Sequence, residues 1–271
     1  MYTHKLYIIE NHTNMHVGSG EANFGLIDKL IQRDTITEYP IIHSSSLKGA
    51  IKEYCEYRHN PTEAKKFIDH IFGGDNSAGK VRFIDAFFLT IPMRSDTRPY
   101  YLCTSPEVID HFLEISNLFN LKIPNEDELK KFASYNKEYI AISDQKATIE
   151  QFEAKQDDSL DFSALEKLIG SPAAIVPNKQ FKDLLKDLPI VARNKLENGE
   201  SKNLWYEEVM PRKSRFFTVI SSPDYINEED SSLKNHFNRL HKYLTDGETI
   251  HIGANASIGY GVCTFEEFSH A

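Results

Sequence analysis

The spacing of apolar residues divides the chain into two outer blocks and a middle. Lys5 to Asn11 sets Tyr7 and Ile9 against Leu6 and Ile8, the period-two pattern of a strand. From Ser45 onward, Leu47, Ala50, Ile51, Tyr54 and Cys55 recur on one helical face. Asn60-Pro61, a cap with a first-turn proline, opens a second helix that turns Phe67, Ile68, Ile71 and Phe72 inward and stops at Gly73-Gly74. Val81 to Leu89 reads as a strand, with Ile91-Pro92-Met93-Arg94-Ser95 turning away from its end. Tyr100 to Thr104 follows as another strand, and Ser105-Pro106 starts a helix burying Ile109, Phe112 and Leu113.

Beyond residue 188 the regular pattern returns. Pro189–Leu196 and Lys202–Val209 flank Glu197-Asn198-Gly199-Glu200-Ser201, a strong hairpin signal. Phe216 to Ser221 is a strand, and Ser231 to Thr245 a helix burying Leu233, Phe237, Leu240 and Leu244. Thr249–Ile252 and Tyr260–Phe265 are strands around a glycine-rich loop, Gly253 to Gly261. Residues 120 to 188 mix strand candidates (Tyr139–Ile142, Ala147–Phe152), helices (Phe162–Ile169, Phe181–Leu188) and polar loops. They read as an insertion outside the main sheet. The outer parts run strand, helix, strand, then strand, helix, strand. This is the split βαβ order of an α+β, ferredoxin-like fold.

Composition narrows the setting. The 271 residues are 40% apolar and 26% charged, a globular balance. No apolar run approaches a membrane span, and the N-terminus lacks a signal-peptide core, so neither membrane insertion nor export is expected. Cys55, Cys103 and Cys263 are too scattered for a zinc pattern or a disulfide framework, which points to the cytoplasm. A formal charge of −9 speaks against a protein that coats nucleic acid by bulk electrostatics. RNA binding then requires the cations to gather on one face, with the acidic tracts Asn125–Glu128, Gln156–Asp161 and Asn227–Asp230 elsewhere.

Candidate chemistry centres on residues 16 to 54. Gly18 and Gly20 sit where the first strand should end, and bare backbone there lets a ligand come close. Ser44, Ser45 and Ser46 precede a helix, where they cap its free amides or, with the helix dipole, receive a phosphate. Lys48 suits that first turn only beside an anion, and Gly49 costs about 1 kcal/mol against alanine. Both also fit an ordinary capped helix with a tight packing contact. Asp28, in the polar loop from Gly25 to Thr37, could hold a divalent metal or orient a hydroxyl beside a phosphate. From spacing alone it reads first as a surface aspartate in a loop. Asn203-Leu-Trp-Tyr-Glu-Glu208 places Trp205 and Tyr206 on the hairpin, to stack on bases or to bury against the domain. His16, His43 and His251 have no metal spacing and read as packing or hydrogen-bonding residues. Walker, HExxH, GxSxG and dinucleotide-binding motifs are missing from the sequence.

Taken together, His16-x-Gly18-x-Gly20, GLIDKLIQRD, SSLKG at Ser45 to Gly49 and Phe72-Gly-Gly-Asp75 form an ordered set. VRFIDAFFLTIPMRS, LPIVARNKLENGESKNLWYEEVMPRKSRFF and GANASIGYG complete it. The set resembles the backbone subunit of the type III-B CRISPR effector (Cmr) complex, a member of the repeat-associated mysterious protein (RAMP) superfamily. It covers nearly all of the chain except roughly 105 to 185.

The resemblance implies an RNA-recognition-like palm, formed by 1–104 with the catalytic loop and 216–271 with the C-terminal glycine-rich loop. It adds an inserted helical region at 105–188 and a thumb hairpin at 189–215. It further implies a helical filament of copies along a guide CRISPR RNA, alongside other Cmr subunits. In that filament each thumb flips one nucleotide of the guide–target duplex. Asp28 maps onto the family's catalytic aspartate, which supports metal-dependent cleavage of the target RNA by its 2′-hydroxyl. Asp28 is then also the metal ligand, with Mg or Mn as the ion.

The guide contacts expected are Arg33, Ser45, Ser46, Lys48, Lys52, Arg94, Asn255 and Ser257, and the wedge Trp205, Tyr206 and Met210. Arg98, Arg193 and Lys195 extend the basic stripe. His43-Ser44 departs from the Pro-Gly common in the family and alters how closely the guide backbone approaches. Two rival readings use the same residues. One is a scaffold that binds RNA without cutting, and the other is a stand-alone nuclease that processes guide precursors with histidine acid–base chemistry.

Overall fold

The computed structural model describes residues 2–20, 27–58, 61–75, 77–224 and 231–269. The cap at Asn60 and the acidic tract Asn227–Asp230 lie outside them. A strand at Tyr2–Asn11 forms the centre, with Leu6, Tyr7, Ile8 and Ile9 all buried. A strand buried on alternate residues in both directions must be covered on both faces. The helix Ser231–Thr245 covers one face, where Tyr7 Oη meets His241 Nδ1 at 3.0 Å. The helix Pro106–Leu118 covers the other, where Phe112 packs edge-on against Phe217, the register partner of Ile8.

Tyr2–Asn11 pairs antiparallel with Arg215–Pro223 on one side and with Val262–Glu267 on the other. Arg215–Pro223 pairs antiparallel in turn with Ala86–Met93. The helix Ser44–Tyr57 connects the first strand to this block, burying Leu47, Ile51 and Cys55 as its spacing requires. The Ser105 side chain caps the helix Pro106–Leu118 by accepting from the Val108 N–H, as the Ser-Pro pair leads one to expect.

Three features depart from the sequence reading. The first strand ends at Asn11, well before Gly18; residues beyond it make only isolated bridges, Met15 to Met210 and Gly18 to Ile31. The segment Ile91–Met93 does not turn away but continues the strand and pairs with Tyr101–Thr104. Pro92 is tolerated because pairing with Arg215–Pro223 has already ended at Thr90, so only one ladder needs serving there.

The middle of the chain is not outside the sheet. From Tyr101–Thr104 the ladder runs on through Ala173–Ile175, Ile140–Ile142, Phe152–Gln156 and Ala147–Ile149, completing a 12-stranded sheet. These strands are short and several are buried at every position, so they carry no alternation to read.

The hairpin stands apart as its own two-stranded sheet, Ile190–Glu197 with Glu200–Glu208. Asn198 and Gly199 both have positive φ, 52° and 85°, as a two-residue primed turn demands. Its root is closed by Val209 N–H to Pro189 O (2.9 Å) and tied to the core by the paired main chains of Met15 and Met210.

Candidate functional site

The Asp28 segment has no regular structure of its own and is clamped from two sides. Ser19 N–H donates to Leu30 O (3.0 Å) and Gln32 N–H to Val17 O (2.8 Å). On the hairpin side, Lys29 N–H donates to Tyr206 O (3.1 Å) and Glu208 N–H to Lys29 O (2.9 Å). Asp28 Oδ2 accepts from the main-chain N–H of Tyr206 at 2.8 Å. The carboxylate is therefore exposed to solvent and yet fixed by the hairpin. The buried side chains of Val17 and Ile31 anchor the two runs and leave their polar neighbours outward.

Asp28 opens on a cleft of about 720 Å³, which His16, Gly18, Lys29, Leu204 and Trp205 also line. The His16 ring is buried, with Nδ1 2.7 Å from the carbonyl oxygen of Glu208. A carbonyl only accepts, so Nδ1 carries a proton, and the tautomer consistent with this bond has its lone pair on Nε2. A Cβ at Gly18 would lie 3.1 Å from that Nε2. Sequence spacing placed His16 among packing residues and gave it acid–base chemistry only in the rival guide-processing reading. Its place beside Gly18 was the signal available.

Behind the cleft sits Glu207, 1% exposed. Its Oε1 accepts from the Trp205 indole N–H at 2.7 Å and the Lys29 ammonium at 3.0 Å. Its Oε2 accepts from Arg193 Nε at 3.2 Å and from Asn255 Nδ2 at 2.9 Å. Burial alone would raise the carboxyl's pKa. The donors from Trp205, Lys29 and Arg193 outweigh it and bring it down to about 2. Glu207 thereby joins the Asp28 segment, the hairpin and the Gly253–Gly261 loop. That loop also sits directly on the His16 main chain: Ala254 N–H donates to His16 O at 2.8 Å. Gly253, at φ +92°, could carry no Cβ there without meeting His16 O at 2.4 Å. The two glycine bends are neighbours.

The helix Ser44–Tyr57 joins the same region through Gln32, a residue the motifs did not single out. Gln32 Nε2 donates to Gly18 O (3.1 Å) and Ser46 Oγ (3.0 Å), while its Oε1 accepts from His43 N–H (2.8 Å). Ser44 does not cap the helix; His43 stands at the cap without a side-chain bond, and Ser44 N–H donates to Asp85 Oδ1 at 2.6 Å. Ser45 is exposed, and Lys48 is half-buried and forms no ion pair among the described residues. Around Gly49 there is open space, so no packing contact among the described residues accounts for that glycine.

The other expected contacts are dispersed. Arg33 is tied to Glu208 Oε1 (2.5 Å) and to the carbonyls of Glu38 and Leu185. Glu208 Oε2 accepts the Ile31 N–H, so this pair braces the Asp28 segment. Lys52 faces Glu56 one helical turn on. Arg94 is 87% exposed but bonded to Glu150, on the extended part of the sheet. Arg98 pairs with Asp144 and Lys195 with Glu197. Ser257 is exposed in a short 3-10 turn, Ala256–Ile258. Trp205 is half-buried beneath Lys29, and Tyr206 is 41% exposed. Met210, 2% exposed, is a core residue and offers no wedge. Among the described residues there is no group of three or more metal-ligating side chains, and no helix long and apolar enough to cross a membrane.

Comparison with known proteins bears on the fold and the family. A family model described as the RAMP superfamily matches residues 8–264. The Cmr endoribonuclease Cmr4 of Pyrococcus furiosus is 31% identical over 279 aligned positions, covering 92% of this chain and 90% of that protein. The Cmr4 subunit of Saccharolobus solfataricus is 36% identical over a shorter stretch, 34% of this chain and 30% of that protein. In structure, a chain of the type III-B Cmr-beta complex bound to cognate target RNA matches with TM-score 0.77 at 21% identity. That match covers 98% of this chain and 97% of the other. Oligomeric Cmr4 of P. furiosus matches with TM-score 0.73 at 24% identity, covering 99% and 100%. These matches establish that the chain belongs to the RAMP superfamily as a homologue of the Cmr4 subunits.

Proposed function

We propose that this chain is a guide-RNA-binding subunit of a type III-B CRISPR effector that cuts target RNA complementary to the guide, with Asp28 at each cut. The observation that carries the reading is an exposed carboxylate, held by the Tyr206 main chain, in a cleft bordered by a glycine bend and the His16 ring. A purely scaffolding subunit has no use for such an arrangement. The name of the P. furiosus relative, an endoribonuclease, supports the same conclusion.

The strand order Val262–Glu267, Tyr2–Asn11, Arg215–Pro223, Ala86–Met93, antiparallel throughout, supports a ferredoxin-like palm. We take this palm as residues 1–104 and 216–271, with the region 105–188 inserted and the hairpin of 189–215 as its thumb. Guide phosphates would lie along the free amides at Ser45, the Lys48 ammonium and open Gly49, continuing to the exposed Ser257 loop. Copies stacked along the guide would repeat the cleft at intervals. Tyr206 and Leu204, exposed beside Asp28, would splay the duplex there. Arg33, Asn255 and Trp205 brace the site from within.

In the cut, the 2′-oxygen of one nucleotide bonds to the adjacent phosphorus while the P–O5′ bond breaks. The products are a 2′,3′-cyclic phosphate and a 5′-hydroxyl. His16 Nε2 takes the proton of the 2′-hydroxyl, and the leaving 5′-oxygen takes one from solvent. Asp28 orients the nucleotide by its fixed carboxylate. The donor set also suits Mg or Mn. One free carboxylate oxygen fits an ion that keeps waters and shares phosphate oxygens, whereas Glu207 is already saturated by its own donors. Bound at Asp28, such an ion would stabilise phosphate charge.

The test is Asp28→Ala in the assembled complex. Target RNA should bind as in the parent while cleavage products vanish; unchanged product bands would refute the assignment, and a parent complex that never cuts with any divalent ion would make the chain a scaffold.

A further inference from the structure

Resting on that reading, we propose that Lys29 is a further catalytic residue, its ammonium placed to take the charge that builds on the non-bridging oxygens of the scissile phosphate. Lys29 follows Asp28 directly and lines the same cleft, with its side chain 53% exposed. An ordinary surface lysine wanders among rotamers, at a cost in entropy whenever it is ordered. This one does not. Its main chain is bonded on both sides to the hairpin, through Tyr206 O and Glu208 N–H. Its ammonium reaches Glu207 Oε1 at 3.0 Å and lies 5.1 Å from the centre of the Trp205 ring. Glu207 is itself fixed by Trp205, Arg193 and Asn255, so it is a rigid post rather than a mobile counter-ion.

The electrostatics need such a group. A phosphodiester entering the cleft meets the Asp28 carboxylate, and like charges at short range repel. Glu207 with Lys29 and Arg193 carries a surplus of one positive charge. Arg193 stacks over Tyr260 at 4.4 Å and is only 17% exposed. Lys29 is the member of that cluster that opens on the cleft. An ammonium has three donors, and Glu207 engages one of them in this structure. As the 2′-O–P bond forms and the P–O5′ bond breaks, charge concentrates on the two remaining phosphate oxygens. A preorganised cation acts on this stage more than on the bound substrate. No proton leaves Lys29 in the step.

The experiment is single-turnover cleavage in the assembled, guide-loaded complex at saturating target. It uses Lys29→Ala, Lys29→Gln and Lys29→Arg beside the parent and Asp28→Ala. Lys29→Ala and Lys29→Gln should slow the chemical step on the order of 10²-fold, the scale of losing one oxyanion donor. Target affinity should stay within about twofold, and Lys29→Arg should restore most of the rate. One phosphorothioate diastereomer at the scissile linkage should slow the parent, and that selectivity should fall in Lys29→Ala. Wild-type rates in both neutral variants, or a loss explained wholly by weaker target binding, would overturn the proposal while a dead Asp28→Ala leaves the underlying reading standing. A fully active Asp28→Ala would bring down both.

Discussion

Glu207 keeps a charge in a place that burial ordinarily forbids, and it does so because four donors from three parts of the chain converge on two oxygens. This has a pH signature. Its folded pKa, about 2, lies below the unfolded value of 4.5. Such a depressed carboxyl contributes stability that is complete above the unfolded value and is lost as pH falls through the folded one. The loss should occur between about pH 4.5 and pH 2. Acid unfolding followed by circular dichroism should show less pH dependence in that window for Glu207→Gln, and that variant should be less stable at neutral pH. An acid limb identical to the parent's would mean that Glu207 is not charged in the fold. At this scale Asp28 was legible from its loop and the family motif. The role of Glu207 was not legible, because two of its donors, Lys29 and Asn255, lie far from it in the chain.

Among elements, the hairpin shows how register decides which neighbours share a face. The sequence reading placed Trp205 and Tyr206 together as a wedge. Strand alternation sends them to opposite sides: Trp205 faces Glu207, while Tyr206 lies with Leu204. Met210, past the end of the strand, turns into the core. The turn itself follows from Asn198-Gly199, where Gly199 holds φ +85°. Gly199→Val should cost the turn about 1–2 kcal/mol, loosening the hairpin. Amide exchange should rise in 190–208 and cleavage should fall, while the melting temperature of the whole chain barely moves. A hairpin as protected as the parent's would show that the turn does not set its order. The helix Ser44–Tyr57 was legible from its apolar spacing, but its N-terminus was not: Gln32 and Asp85, outside the helix, accept the His43 and Ser44 amides where the local serines were expected to cap.

For the molecule as a whole, the continuous sheet predicts that the middle of the chain does not unfold by itself. Ala173–Ile175 bonds to Tyr101–Thr104, so the inserted strands share a ladder with the centre. Thermal unfolding should be one transition by both near- and far-ultraviolet circular dichroism. Two separated transitions would mean that the sheet's halves are independent. Charge is also decided at this scale. With a net charge of −9, RNA binding depends on which cations remain available. Arg33, Arg94, Arg98, Arg193 and Lys195 already hold carboxylates, whereas Lys48 pairs with none among the described residues. Lys48→Ala should weaken guide binding and reduce its salt slope by about 0.7–1. An unaltered slope would show that Lys48 touches no phosphate.

What the sequence determined by itself is local: the outer strands and helices, the hairpin and its turn, the candidate aspartate and the glycine bends. Each is set by residue spacing and backbone preference within a few turns of chain. The tertiary structure alone decided that the middle strands extend the sheet, that Gln32 ties a glycine bend to the helix, and that Glu207 fixes Lys29 beside Asp28. Those outcomes depend on hydrogen bonds and ion pairs between residues up to 178 positions apart, and no local pattern records them.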